Sequence, residues 1–243
     1  MLAEGSFSRD DLEVEFRDEM LPLTPSLEAE ISAHWISALS RAQEQGIRLH
    51  DGALFNLEDA CCDTGRLHLS LSRTRYRRWT YSAGRKEAAW ISRPLACCAA
   101  LISSDGKLLL QERSAEVAEG PGLLHVPGGH PDPERDLRGG RPDLFVAMEA
   151  ELHEELGLLA SDLGEGRILG LVENLENGKP ELLFRYETGL GSEEIAARAE
   201  DGRDAYEFAT LRFLSADSES LALYLADKKK RLAVPSQALL SKL

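Results

Sequence analysis

The stretch LLHVPGGHPDPERDLRGGRPDLFVAMEAELHEELGL, residues 123–158, decides how this chain is read. It begins as a short apolar segment that runs into Gly128-Gly129. From His130 to Asp143 it is polar and broken by Pro131, Pro133, Gly139, Gly140 and Pro142, the composition of an irregular loop. LFVAMEAELHEEL then predicts a helix stopping at Gly157, because a glycine just past the last turn accepts the left-handed conformation that ends helices. Within that helix Glu151, Glu154 and Glu155 stand at i, i+3 and i+4, so their carboxylates share one stripe. Three like charges on a stripe repel. Alone, the pattern fits a solvated acidic face as well as a cation site.

Working outward, LACCAALIS and KLLLQER read as a hairpin joined at Asp105-Gly106, with RILGLVEN and ELLFRYET as another about residues 177–180. ATLRFLS reads as one more strand, and the remainder as helix. Near the N-terminus, Thr24-Pro25 opens a helix with Leu27, Ile31, Trp35 and Leu39 at four-residue spacing, closed by Gly46. Residues 53–62 and 66–73 form two expected strands around Asp63-Thr64-Gly65. Strands and helices alternate without repeats, which favours an α/β (α+β) mixed sheet with helices on its faces. The expected organisation is an N-terminal helix-plus-hairpin unit, residues 1–90, packed on a catalytic domain, residues 91–243.

The formal net charge of −14 and pI near 4.9 argue against a nucleic-acid partner, which calls for a clustered basic surface. A divalent cation can still bridge carboxylates to a small phosphate-bearing substrate. No run is apolar and long enough for a membrane partner, and the acids at Glu4, Asp10, Asp11, Glu13 and Glu15 leave no room for a secretory leader. The adjacent pairs Cys61-Cys62 and Cys97-Cys98 lack metal-ligand spacing and read as reduced packing residues, giving a cytoplasmic expectation. Arg73, Arg75, Arg77 and Arg78 read either as a phosphate-facing patch or as a solvated strand end.

The nine residues AELHEELGL, Ala150–Leu158, resemble the second half of the signature of Nudix hydrolases, G-x5-E-x7-R-E-U-x-E-E-x-G-U with U aliphatic, at every position except the arginine. Two departures stand out. Gly129 precedes Glu151 by 22 residues where the signature has fifteen, so seven residues are inserted, all within the Pro/Gly-rich loop where length costs little. The signature arginine, which orients the neighbouring carboxylate, is Ala150. With AEVAEGPGLLHVPGGHPDP, these departures resemble the Nudix enzymes that act on UDP-glucose and UDP-galactose, whose signature is likewise interrupted.

The resemblance implies an α/β/α sandwich and hydrolysis of a nucleotide-sugar diphosphate bond to UMP and a sugar 1-phosphate, with Mg2+ or Mn2+. It implies Glu151 and Glu155 as metal ligands, Glu154 as a third ligand or orienting group, and the Gly129 carbonyl as a further ligand. The general base is left between Glu151 and a distant acid, best Glu207, which reads equally as a surface acid. Arg113, at a strand end, suits a phosphate fork. Phe55 and Tyr76 match a uridine clamp, with core packing an equal reading for Phe55. His130, Pro131 and Asp132 could face the sugar or simply shape the loop, and Asn174 is a weaker substrate contact. Other nucleoside diphosphate derivatives (ADP-ribose, a dinucleotide) and a non-catalytic Nudix-type sensor of nucleotide sugars are the rival readings.

Overall fold

A computed structural model describes residues 1–174, 177–227 and 231–243. Its elements run β1 (Ala3–Phe7), β2 (Leu12–Met20), α1 (Pro25–Glu44), β3 (Ala53–Asp63), β4 (Arg66–Arg75), α2 (Tyr76–Ser82), β5 (Ala96–Ile102), β6 (Lys107–Arg113), β7 (Leu124–His125), β8 (Gly128–Gly129), β9 (Leu137–Arg138), β10 (Arg141–Pro142) and α3 (Leu144–Leu156). There follow β11 (Arg167–Asn174), β12 (Lys179–Glu187), α4 (Ser192–Ala199), β13 (Phe208–Ser215), α5 (Ser218–Ala226) and α6 (Val234–Leu240).

The main sheet has the order β1-β11-β12-β5-β6-β13, with β7 on β6 and β8 on β5. β12 and β5 are parallel and the other pairs antiparallel, a mixed sheet as expected. Strand side chains alternate faces, and β5 displays this directly. Cys97, Ala99 and Leu101 enter the core under α3 and α4, while Cys98 and Ala100 enter the one under α5 and α6. Helices therefore cover both faces of the sheet.

A second sheet, β2-β4-β3, is built by the N-terminal segment. Its turn is made by Thr64 and Gly65, both at positive φ, as a two-residue hairpin with right-handed strand twist requires. Leu57, Leu67, Leu69 and Leu71 join the core cluster that holds Leu152 and Leu156 of α3. β1 goes further and pairs with β11, so the first residues complete the main sheet. The sequence reading placed no strand before residue 53. Leu12, Val14 and Phe16 do alternate, but the intervening acids mask the period, and the parallel pairing of β2 with β4 is a tertiary contact with no local signal.

Two further expectations are corrected. Cys61 and Cys62 lie at the exposed end of β3, where the strand has outrun the core, so they are not packing residues; Cys97 and Cys98 are buried, and all four are free thiols. The basic cluster is neither a phosphate patch nor merely solvated. Arg73 pairs with Asp18, Arg75 and Arg77 with Asp51, and buried Arg78 with Glu28, which ties β4 and α2 to preceding segments.

Candidate active site

α3 is fixed at both ends. Asp143 caps it by accepting from the Val146 amide at 3.1 Å, and Gly157, with φ at 67°, closes it. Arg9 grips the N-terminal half of the helix through Asp143 at 2.6 Å and Glu149 at 3.0 Å, with its guanidinium over the Phe145 ring. The buried face of Leu144, Met148, Leu152 and Leu156 sets the rotation of the helix. Glu151 and Glu155 consequently point toward β8 and β6.

Gly129 shows why glycine is needed before the loop. A Cβ there would overlap the Glu151 carboxylate, and one at Gly128 would overlap the β5 backbone at Cys97 and Cys98. The pairing of Gly129 with Cys97 brings a strand backbone directly against the helix carboxylate. Desolvation, then Glu154, pushes the Glu151 carboxyl up to about 8. Glu155 is 2% exposed, and its burial, then Glu151 and Glu207, raises it well above the usual range, against one hydrogen bond from Gln111 at 2.9 Å.

Glu154 differs. Arg135 donates to both its oxygens, at 2.9 and 3.2 Å, and Arg203 pairs with it at 2.6 Å. Of the two roles open to Glu154, this fits an orienting group better than a ligand. Glu207, just before β13, is carried toward the stripe by the packing of residues 202–207 on the end of α3. Gly202 lies so close to the Glu155 carbonyl that a Cβ would collide, and Asp204 donates to the Glu154 carbonyl at 2.9 Å. Burial raises the Glu207 carboxyl, opposed by Arg113 at 3.9 Å.

Arg113 leads to a second group. Its Nε donates to the Glu119 carbonyl at 2.9 Å. The Glu119 side chain accepts from Lys179 at 2.5 Å and from the Tyr76 hydroxyl at 3.2 Å. Burial alone would raise Glu119, but Lys179 above all, with Arg113, holds it down to about 2. His130 meets Tyr76 edge-on at 6.3 Å, and Tyr76 meets Trp35 likewise. Burial, then Lys179, pushes the His130 imidazole down to about 3, so it is neutral, and its buried Nε2 has no hydrogen-bond partner among the described residues.

The structure thus gathers Gly129, Glu151, Glu155 and Glu207 on one side, and Arg113, Tyr76 and His130 on the other. Asn174 closes the β11–β12 turn through its carbonyl, opposite Lys179. Phe55 is fully buried against Phe16, so of its two readings core packing is the one observed. Asp132 shapes the loop, accepting from the Glu134 amide and donating its own amide to Asp136, both at 2.7 Å, and Pro131 is buried beside it.

Sequence reasoning missed Gln111, Glu119, Arg135, Asp136, Lys179 and Trp35. Gln111 had a usable signal, a polar residue on the core side of the apolar run LLLQ. A cavity of about 1180 Å3 lies elsewhere, between β2 and the β9–β10 ribbon, and none of these residues lines it.

Hard oxygen donors in a partly desolvated patch suit a divalent cation of the magnesium type, which takes one or two carboxylates and completes its shell with water and phosphate oxygens. Among the described residues no three acids or histidines are already gathered into a cage. A cation of that kind does not require one. Among the same residues, no helix is long and apolar enough to cross a membrane.

The chain is 32% identical, over 140 residues, to the uridine diphosphate glucose pyrophosphatase NUDT22 of Mus musculus, covering 52% of this chain and 46% of that protein. It is 28% identical over 143 residues to Nudix hydrolase 9 of Arabidopsis thaliana, with the same two coverages. This chain resembles the Nudix hydrolases. The chain spans about half the length of the curated relatives it matches. No family profile matches it. Among solved structures, the MutT NUDIX hydrolase from Burkholderia pseudomallei is 21% identical with a TM-score of 0.41, covering 61% of this chain and 96% of that one. In this Nudix-like chain the signature helix is α3, and the interruption is the loop that ends in the β9–β10 ribbon.

Proposed function

We propose that the chain is a Nudix-type diphosphatase that hydrolyses a nucleotide sugar, UDP-glucose or a close UDP-hexose, to a mononucleotide and a sugar 1-phosphate with Mg2+ or Mn2+, and that residues 91–243 carry the hydrolase domain. The observation that carries this reading is the juxtaposition, across Gly129, of buried acids that outnumber the guanidinium groups facing them (Glu151, Glu155, Glu207) with a basic and aromatic group whose buried His130 Nε2 has no hydrogen-bond partner among the described residues. One side suits a cation and the other a phosphate-bearing organic ligand. The likeness to the mouse uridine diphosphate glucose pyrophosphatase supports the choice of substrate.

A diphosphate bond is kinetically inert, and its cleavage needs charge neutralisation and a positioned water. A divalent cation held by Glu151, Glu155 and the Gly129 carbonyl would screen the phosphate oxygens and acidify a bound water. Arg113 and Lys179 add positive charge on the substrate side, and Arg113 offers a planar fork to phosphate. Neutral His130 supplies one directional hydrogen bond. The Tyr76 and Trp35 faces suit a nucleobase. Glu207, raised by burial and next to Arg113, accepts the proton of the attacking water.

Incubation of the purified chain with UDP-glucose and Mg2+ should release UMP and glucose 1-phosphate in equal amounts. Formation of neither product overturns the reading. Faster release of mononucleotide from ADP-ribose or a dinucleotide would keep the reaction and change the substrate. Ala150 favours a second reading, a sensor without turnover; it requires tight UDP-glucose binding and no product.

A further inference from the structure

The inserted loop is a built structure. Asp136 is 1% exposed; its amide donates to the Asp132 carbonyl, its carbonyl accepts from Asp143, and its carboxylate accepts from the Asp132 amide at 2.7 Å. From that fixed point Arg135 is held along one edge by two bonds, Nε to Asp136 Oδ1 at 2.8 Å and Nη2 to Oδ2 at 3.1 Å. Its far end spans the helix stripe. Nη1 contacts both oxygens of Glu154, and Nη2 reaches Glu151 Oε1 at 3.3 Å. Arg203 also touches Glu154, but its side chain is 65% exposed and does not reach Glu151.

We propose that Arg135, delivered by the insertion, is the positioning residue of the acidic stripe, taking the place of the arginine that position 150 lacks. The proposal rests on the reading of the stripe as the metal site. Glu151 and Glu154 stand one turn apart and repel; a planar guanidinium anchored at Asp136 holds Glu154 and one oxygen of Glu151, leaving the other Glu151 oxygen and Glu155 for the cation. A lysine could not make these contacts, since it lacks the fork. The insertion and the missing arginine are then one change: the donor moved from the helix to the loop. The opposite role is a plug, in which Arg135 sits where a cation belongs and must leave. The two differ in sign.

Arg135→Ala, Arg135→Lys, Ala150→Arg and Arg135→Ala/Ala150→Arg are compared with wild type by calorimetric titration with Mn2+ alone and by UDP-glucose kinetics. Position 150 lies four residues before Glu154, where an arginine meets that carboxylate across one turn. The proposal expects Arg135→Ala to weaken Mn2+ binding and lower kcat, each by roughly 10- to 100-fold, the range for groups that orient metal ligands, with KM within about two-fold. Arg135→Lys should fall between, and the double variant should recover most of both losses. Recovery also shows that Arg135→Ala folds, since a collapsed loop would not be repaired from the helix. Tighter Mn2+ binding by Arg135→Ala, unchanged kcat, or a loss that Ala150→Arg does not repair overturns the proposal. Absence of Mn2+ binding by wild type overturns the metal reading and this proposal together, whereas wild-type binding unaffected at position 135 overturns this proposal alone.

Discussion

Glu119 and Glu151 are both acids of the candidate site, yet the first is held down to about 2 and the second pushed up to about 8. Desolvation acts on both in the same direction. The difference lies in what faces them. Glu119 has Lys179, whose ammonium is raised by Glu119 and Glu181 despite its own burial, and the pair is complete within the chain. Glu151 faces Glu154 and, farther off, Glu207, with only the edge of one guanidinium in reply. A matched pair is a finished piece of structure; an unmatched group of acids costs stability and persists where something outside the chain completes it. On the proposed reading, that contrast separates the wall of the site from its reaction centre.

The contrast can be broken most severely on the acidic side. Glu155→Gln should lower UDP-glucose turnover by roughly 10²- to 10³-fold, the scale for losing one electrostatic element of a water-excluded site, in steady-state assays with Mg2+. On the matched side, Lys179→Met strands the Glu119 charge and should destabilise the fold by about 3 kcal/mol in urea unfolding, the lower end for breaking an enclosed ion pair, because Glu119 is only half-buried. The opposite sign is expected for Glu151→Gln. A carboxyl whose folded value lies above its unfolded one binds extra protons in the native state, so its cost is absent below about pH 4.5, grows with pH and stops growing above about 8. In metal-free protein, Glu151→Gln should therefore raise the melting temperature at pH 8 and leave it nearly unchanged at pH 4.5. The smallest effect concerns the mounting of the helix. Asp143→Ala removes the cap of α3 and a contact with Arg9, and should cost roughly 1 to 2 kcal/mol in the same unfolding assay.

The elements that carry the site were legible because their signals are local. Gly157 marks the end of α3, the i, i+3, i+4 spacing puts the acids on one stripe, and Asp105-Gly106 marks the hairpin before the loop. β1 and β2 were not legible, since their stability comes from pairing with β11 and β4, far away in sequence. Sequence spacing likewise separates Lys179 from Arg113 and Glu119, and nothing local reports that Lys179 at the start of β12 meets Glu119 from the loop after β6. Arg135 was hidden for another reason: in a polar loop broken by proline and glycine, an arginine beside an aspartate looks like surface charge. Its contacts with Glu151 and Glu154 are tertiary, and it makes them while anchored on buried Asp136.

The central claim is that the unmatched acids of α3 receive a divalent cation. Calorimetric titration of Mn2+ into wild type and into Glu151→Gln/Glu155→Gln at pH 8 tests it directly. The account predicts saturable binding by wild type and none by the double variant; equal binding by both proteins, or no binding by either, would contradict it.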